Sequence, residues 1–246
     1  MTTKHSLEVC FSPVSYPLFK NDKAIVVVID VFRATSAICT ALFHQAASII
    51  PVATVEEAQA YKSKGFIAAA ERHGEVVPGF ELGNSPFSYM NEEIVGKTIV
   101  LTTTNGTQAI EVSKDAYKVV IGSFLNLSVL AQWLIKQDRD VVLLCAGWKN
   151  KFNLEDTLFA GAVAEKLFLS GNYSNACDTT QAALHLYTSG KNNLFKFLEY
   201  SSHRKRLEKL NLEKDIMYCL ELDIAPVIPI LKGKEIVKLQ PVFENI

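Results

Sequence analysis

Small hydroxyl side chains, an asparagine and a glycine crowd one junction of this sequence, VLTTTNGTQAI at residues 100–110. Its first residues are typical of the end of a buried strand, and its last residues of the start of a helix. A plain turn needs only one glycine or asparagine. A helix that begins near Gly106 would point free backbone N–H groups outward, where an anion binds well. We therefore expect a cradle for a phosphate or sulfonate in this segment.

Carboxylate and guanidinium side chains follow other apolar runs of the sequence. Asp30 and Arg33 come after AIVVVI, Glu71 follows FIAAA, and Asp156 lies beyond DVVLLCA. Carboxylate oxygens are the hard ligands that Mg²⁺ prefers, and arginine offers a planar fork to a second anionic group. A magnesium ion, an arginine and a phosphate cradle together indicate phosphoryl-group chemistry.

Short apolar runs alternate with longer helical patterns, and this alternation places the polar side chains at strand ends. The predicted strands are 24–30, 48–53, 66–70, 97–103, 117–123 and 140–146. The predicted helices are 33–46, 55–64, 106–114, 126–137 and 155–170. The pattern predicts an α/β fold with a mainly parallel sheet covered on both faces. Ligands of such sheets bind beyond the carboxyl ends of the strands, so we expect one site there.

The rest of the chain carries fewer signals. After residue 171 the pattern is helical and polar, and it ends in PVIPIL and EIVKLQ, which predict one or two late strands. The charged run HRKRLEK at 203–209 is typical of a solvated helix face. Without a repeat or a linker in the sequence, we expect a single domain over residues 1–246.

Composition excludes several classes of function. The chain has 246 residues, a formal net charge of −1 and 49% hydrophobic residues, so no basic surface favours nucleic acid. No apolar run approaches the roughly 20 residues of a membrane span, and the first residues do not resemble a signal peptide. The five cysteines are scattered without C-x-x-C spacing. We expect a cytoplasmic protein that binds neither membranes nor nucleic acid.

Seven short motifs carry a resemblance to a known family. They are IDVFRAT, GFELGNSP, LTTTNGT, GSFLN, LCAG, FNLEDTLFAG and DIMYCLELD. The motifs occur in the order found in the 2-phosphosulfolactate phosphatases, the ComB family. The sequence resembles this family from about Ala24 to about Ile230. The resemblance implies a three-layer α/β/α sandwich with a mainly parallel or mixed sheet. It also implies a Mg²⁺-dependent phosphatase that hydrolyses 2-phospho-3-sulfolactate, or a similar small 2-phospho acid, to sulfolactate and phosphate, a step of coenzyme M biosynthesis in methanogens.

The strand-end residues and the resemblance together give a set of candidate site residues. The candidate catalytic residues are Asp30, Arg33, Glu71 and Asp156, and three of them, Asp30, Glu71 and Asp156, are expected to ligate Mg²⁺. The candidate ligands of the small anionic phosphoester substrate are Thr35, Asn84, Ser85, Thr103, Thr104, Asn105, Gly106, Thr107, Ser123 and Asn126. Water activated by the metal is the expected nucleophile.

Structural alternatives remain open for several of these residues. Asp30 could cap the following helix, Asn126 suits an N-cap, and Glu155 with Asp156 could complement a helix dipole. Ser85 followed by Pro86 is also a good N-cap and N1 pair. The sequence does not fix the oligomeric state, and a homodimer is one option.

Two other functions also remain open. The family pattern is roughly G/A-E-R-x-G, but this chain has Glu71-Arg72-His73-Gly74-Glu75. RHGE is the signature string of histidine phosphatases, in which the histidine is a phosphorylated nucleophile at the end of the first strand. Here His73 follows three predicted strands, and His185 and His203 lie in helical polar segments. The second alternative is a non-catalytic module that binds phosphate and metal.

Overall fold

The computed structural model describes residues 4–240, and its strands form one mixed sheet. The strands are β1 (His5–Cys10), β2 (Ile25–Ile29), β3 (Ser48–Pro51), β4 (Ile67–Arg72), β5 (Glu75–Val76), β6 (Thr98–Thr102), β7 (Lys118–Gly122), β8 (Val141–Cys145), β9 (Tyr173–Asn175), β10 (Pro229–Lys232) and β11 (Glu235–Lys238). Their order in the sheet is β5-β4-β6-β3-β11-β10-β7-β2-β8-β1-β9.

Helices connect the strands and fill the segment between β9 and β10. They are α1 (Ala34–Phe43), α2 (Val55–Lys62), α3 (Gly106–Ser113), α4 (Leu127–Lys136), α5 (Leu154–Leu169), α6 (Asp178–Gly190), α7 (Leu194–Phe197), α8 (Ser202–Glu208) and α9 (Glu213–Cys219). No helix within residues 4–240 is long and apolar enough to cross a membrane.

Two parallel groups of strands make up most of the sheet. One group is β4, β6 and β3, and the other is β7, β2, β8, β1 and β9. The hairpin β10–β11 lies between them and runs antiparallel to β7 and to β3. The late strands predicted from the sequence therefore join the two parallel groups.

Strand β2 shows why the sheet has helices on both faces. Its sequence IVVVI is completely buried, with no polar alternation. Val27 packs into a core on one face with residues of α4 and α5, such as Leu130 and Phe159. Val28 packs into a second core on the other face with Ile38 of α1 and Ile110 of α3. Because successive strand side chains point to opposite faces, both faces need a helical layer. The predicted α/β/α sandwich is confirmed.

All six strands and all five helices that the sequence predicted are present, with boundaries shifted by at most three residues. The sequence did not predict β1, β5 or β9. Of these, β1 pairs with both β8 and β9, whereas β5 is a two-residue strand that pairs with the end of β4. The predicted single domain includes residues 1–3 and 241–246, which lie outside the described residues.

Candidate active site

A cavity of about 130 Å³ lies where several strand-end loops meet helix α8. Five strands separate β2 from β4 in the sheet, yet residues that follow both strands line this one cavity. The two parallel groups of the sheet therefore both contribute to the site. The lining residues are Asp30, Phe32, Arg33, Glu71, His73, Gly74, Asn84, Thr104, Asn105, Trp148, His203, Arg206 and Leu207.

Gly106, the first residue of α3, allows the two groups to meet. A Cβ atom on Gly106 would lie 2.8 Å from the Ala34 Cβ and 2.9 Å from the Asp30 Oδ2. Both distances are shorter than van der Waals contact, so a larger residue would displace its neighbours. The sequence predicted that the backbone at Gly106 would face an anion. The structure shows that the backbone of Gly106 approaches the Asp30 carboxylate itself.

Glu71 joins two loops at the cavity wall. Its side chain is buried, and its Oε1 accepts the Gly74 backbone N–H at 2.6 Å. Its Oε2 accepts the Thr104 backbone N–H at 3.1 Å, and the Thr104 hydroxyl donates to the same carboxylate. Glu71 therefore holds the β4–β5 turn against the loop that precedes α3.

The predicted cradle is braced by hydrogen bonds within its own segment and with neighbouring loops. Thr103 Oγ1 accepts the Thr107 N–H at 3.3 Å, and Thr107 Oγ1 donates to the Thr103 carbonyl at 3.1 Å. Asn105 Oδ1 accepts the Lys149 N–H at 3.2 Å. Thr35 contributes in the same way, because its Oγ1 accepts the Asp30 backbone N–H at 3.1 Å. In this group of polar residues, Thr104 and Asn105 face the cavity.

Asp156 is fully buried and does not line the cavity. Its Oδ1 accepts the Val31 N–H at 2.8 Å, and its Oδ2 accepts the Gly147 N–H at 3.2 Å and the Asn153 Nδ2 at 2.9 Å. Burial, and then the neighbouring Glu155 carboxylate, raise the pKa of Asp156 to about 8. Asp156 thus fastens the loops that follow β2 and β8.

Asp30 differs from the other two carboxylates because its carboxylate oxygens accept no hydrogen bond from residues 4–240. It is buried at the end of β2 and lines the cavity. Burial raises the pKa of Asp30 well above its ordinary value, and repulsion from Asp156 and Glu71 adds to this effect. Across the described part of the chain, no group of three or more His, Cys, Asp or Glu side chains is arranged to hold a metal ion.

Arg33 and Asn84 each present an unpartnered polar atom in the wall of the cavity. Arg33 Nη1 donates to Asp215 Oδ1 at 3.0 Å and Nη2 to the Gly74 carbonyl at 2.5 Å. Within residues 4–240, Arg33 Nε and Asn84 Oδ1 are buried without a hydrogen-bond partner. Both residues also line an adjoining cavity of about 340 Å³, together with Ser85.

Ser123 and Asn126 lie away from this cavity and are completely buried. Asn126 Oδ1 accepts the Ser123 N–H at 3.0 Å. Asn126 Nδ2 donates to the Ile121 carbonyl at 3.1 Å and to the Val227 carbonyl at 2.9 Å. The Asn126 amide therefore ties the end of β7 to the segment that leads into β10.

Comparison with known proteins supports the family resemblance that the sequence motifs carry. A family model described as 2-phosphosulpholactate phosphatase matches residues 10–234 of this chain. The chain belongs to the 2-phosphosulfolactate phosphatase family.

Three relatives illustrate the match, and each carries the name probable 2-phosphosulfolactate phosphatase. The protein of Caldanaerobacter subterraneus subsp. tengcongensis is 42% identical over 212 residues, covering 85% of this chain and 88% of that protein. The protein of Thermotoga maritima is 44% identical over 205 residues, covering 83% and 88%. The protein of Clostridium acetobutylicum is 36% identical over 221 residues, covering 88% and 92%.

Two polar cavity residues of this member of the 2-phosphosulfolactate phosphatase family lie on α8 and were not predicted. His203 Nδ1 lies 2.6 Å from Glu155 Oε1, and the Arg206 guanidinium lies over the Trp148 ring at 4.1 Å. The expectation that residues 203–209 form a solvated face is right for Lys205 and Lys209, which are exposed, but wrong for Arg204 and Leu207, which are buried. The spacing of His203 and Arg206 by three residues places both on one face of a helix, a signal that the sequence does contain.

The RHGE string forms a tight turn in this family member. His73 and Gly74 have φ angles of 60° and 92°, and they connect the antiparallel pair Arg72 and Glu75 of β4 and β5. Two-residue hairpin turns with positive φ at both central positions favour glycine and a few polar residues. His73 lines the cavity, but turn geometry alone accounts for the string.

Proposed function

We propose that this chain is a Mg²⁺-dependent phosphatase that hydrolyses 2-phospho-3-sulfolactate, or a similar small 2-phospho acid, to sulfolactate and phosphate. The observation that carries the proposal is the Asp30 carboxylate, which is buried, faces a small cavity and accepts no hydrogen bond from residues 4–240. The names of the relatives supply the substrate, and the 130 Å³ cavity suits a small molecule.

Asp30, Glu71 and Asn84 are the residues that would hold the ion. Mg²⁺ is usually bound by one or two carboxylates, waters and substrate phosphate, so a group of three carboxylates is not required. Two features support a cation here: burial, and then neighbouring carboxylates, raise the pKa of Asp30, and Asn84 Oδ1 has no partner within residues 4–240. When bound, Mg²⁺ neutralises the phosphate and lowers the pKa of the attacking water. Asp156 would keep the loops in place.

Arg206 is the cation that we assign to the second anionic group of the substrate. Arg33 already pairs with Asp215, whereas Arg206 forms no salt bridge with the residues that the structure describes. Burial lowers the pKa of Arg206, and its stacking on Trp148 fixes the guanidinium at the cavity. The sulfonate of 2-phosphosulfolactate would pair with this partly desolvated charge.

A phosphatase assay with the full chain tests the proposal. We expect phosphate release from 2-phosphosulfolactate with Mg²⁺, loss of turnover with EDTA, and recovery when Mg²⁺ is added back. Asp30→Asn should abolish turnover, while Asp22→Asn, an exposed control, should not. Arg206→Gln should raise the KM for 2-phosphosulfolactate more than the KM for 2-phospholactate, which lacks the sulfonate.

The same assay separates the two alternative functions. A non-catalytic binding module would release no phosphate from any of these esters. A histidine-type phosphatase would be indifferent to EDTA, inactive after His73→Ala, and labelled with acid-labile phosphate on His73 during turnover. Either result would contradict the proposal.

A further inference from the structure

A buried hydrogen-bonded pair, His203 and Glu155, lies beside the Asp30 carboxylate at the candidate site. The His203 Nδ1 to Glu155 Oε1 distance is 2.6 Å. The Glu155 side chain is completely buried, and that of His203 is 12% exposed. Glu155 Oε2 accepts the Ser201 hydroxyl at 3.3 Å. The carboxylate is therefore held from two sides, and it fixes the imidazole in turn.

Because His203 Nδ1 is paired with Glu155, Nε2 is the imidazole nitrogen available to a molecule in the cavity. A carboxylate that accepts from Nδ1 fixes the ring orientation and stabilises the imidazolium. The Phe32 ring packs edge-on against the imidazole, with centroids 6.0 Å apart, which further limits rotation. Nε2 forms no hydrogen bond with residues 4–240, and His203 lines the cavity together with Asp30.

We propose that His203 Nε2 donates a proton to the oxygen of the departing alcohol during phosphoester hydrolysis, and that Glu155 is its positioning residue. This inference rests on the proposed phosphatase function. An alkoxide leaves poorly unless it is protonated as the bond breaks, and a positioned acid typically contributes about 10²- to 10⁴-fold to such a step. The seven-residue helix α8 would then supply both the acid and, through Arg206, the anion partner.

The step balances as a hydrolysis. The oxygen of water forms a bond to phosphorus, and the bond between phosphorus and the C2 oxygen breaks with its electron pair on that oxygen. The Nε2 proton moves to this oxygen and completes the hydroxyl of the product. One proton of the water stays on the phosphate, and the other returns to His203 through solvent, which restores the imidazolium.

Leaving-group dependence tests the proposal. The substrates are 2-phospholactate and phosphoenolpyruvate, which have the same skeleton but differ in the acidity of the leaving oxygen. His203→Asn keeps an amide nitrogen where Nδ1 lies and removes Nε2. We expect His203→Asn to lower kcat by about 10²- to 10⁴-fold on 2-phospholactate. The loss on phosphoenolpyruvate should be at least tenfold smaller, because its leaving oxygen needs less protonation.

Two further variants test whether the loss of kcat is specific to the His203–Glu155 pair. Glu155→Gln keeps a hydrogen-bond partner for Nδ1 without the charge, so it should show the same dependence on leaving group with a smaller loss. His185→Asn, on the exposed face of α6, should leave kcat unchanged on both substrates. If thermal unfolding shows that His203→Asn does not fold, His203→Gln and Glu155→Gln still provide the comparison.

Three results would overturn the assignment. Equal losses on both substrates would indicate a structural role or activation of water. Unchanged kcat would mean that His203 takes no part, and acid-labile phosphate on His203 would make it a nucleophile. These results differ from failure of the proposed function, in which the wild-type chain with Mg²⁺ would release phosphate from neither substrate nor from 2-phosphosulfolactate, and both proposals would fail.

Discussion

At the scale of single residues, burial of the Asp30 carboxylate reduces the stability of the fold near neutral pH. It is buried near other carboxylates, and its pKa is raised well above the ordinary value. The unfolded chain releases this proton near pH 4, whereas the folded chain retains it to higher pH. In that interval the folded state binds more protons, so the free energy of unfolding falls as pH rises. Asp156 has a pKa of about 8, so it also makes the free energy of unfolding fall as pH rises from about 4 to about 8.

We therefore expect the melting temperature of the metal-free protein to decrease between pH 5 and pH 8. Asp30→Asn should reduce this decrease and should be more stable than wild type at pH 8, although we expect it to be inactive. Mg²⁺ should raise the melting temperature of wild type but not of Asp30→Asn, because ligands stabilise the state that binds them. Scanning calorimetry of wild type, Asp30→Asn and the control Asp22→Asn measures these melting temperatures. A wild-type melting temperature that rises with pH would contradict the expectation.

The sequence predicted some residues of the cavity wall and missed others for a physical reason. Asp30, Glu71, Thr104 and Asn105 lie close to strand ends, so the rule for open α/β sheets applies to them. His203 lies on a helix whose contacts with α5 depend on packing between distant segments, which no local pattern encodes. Its charged neighbours suggested solvent exposure.

At the scale of elements, Asn126 is a brace between the start of α4 and the segment that enters β10. Its amide makes three hydrogen bonds with backbone groups, all within the buried interior. Asn126→Ala would leave these groups without partners, and a buried unsatisfied group costs about 1–3 kcal/mol. We expect the free energy of unfolding, measured with urea, to decrease by about 2–4 kcal/mol.

The kinetic outcome for Asn126→Ala distinguishes a brace from a substrate ligand. A brace predicts an unchanged KM for the phosphoester at a temperature where the variant is folded. Ser128→Ala provides a control. Ser128 lies in the first turn of the same helix, but its hydroxyl donates a hydrogen bond to the half-buried Asp223. A large rise in KM with unchanged stability would support the original prediction that Asn126 binds substrate.

Periodicity predicted the elements themselves more reliably than their arrangement. The apolar runs of β2, β3, β4, β6, β7 and β8 are visible because strands buried on both faces are continuously hydrophobic. Short strands such as β5 and β9 consist of polar or mixed residues and depend on their neighbours for pairing. The order of the strands is set by long-range packing, so the central position of β10–β11 could not be predicted.

At the scale of the whole molecule, the hairpin β10–β11 joins the two parallel groups that share the site. Asp30 follows β2 in one group, and Glu71 is the penultimate residue of β4 in the other. In the hairpin, Ile230 pairs with Val120 of β7 and Ile236 with Ile49 of β3. The hairpin therefore sets the distance between the two groups, although it contributes no residue to the cavity.

Ile236→Ala should consequently affect both stability and metal binding. Ile236 is completely buried, and truncation of a buried isoleucine to alanine costs about 2–5 kcal/mol. We expect a loss of this size in urea unfolding, together with a higher Mg²⁺ concentration for half-maximal activity, because the loops that hold Asp30 and Glu71 would lose their common support. Val237→Ala, at a half-buried position on the opposite face, should change both quantities less. If Ile236→Ala lowers stability but leaves the Mg²⁺ requirement unchanged, loop contacts such as those of Gly106 with Asp30 and of Arg33 with Gly74 are enough to hold the two groups together at the site.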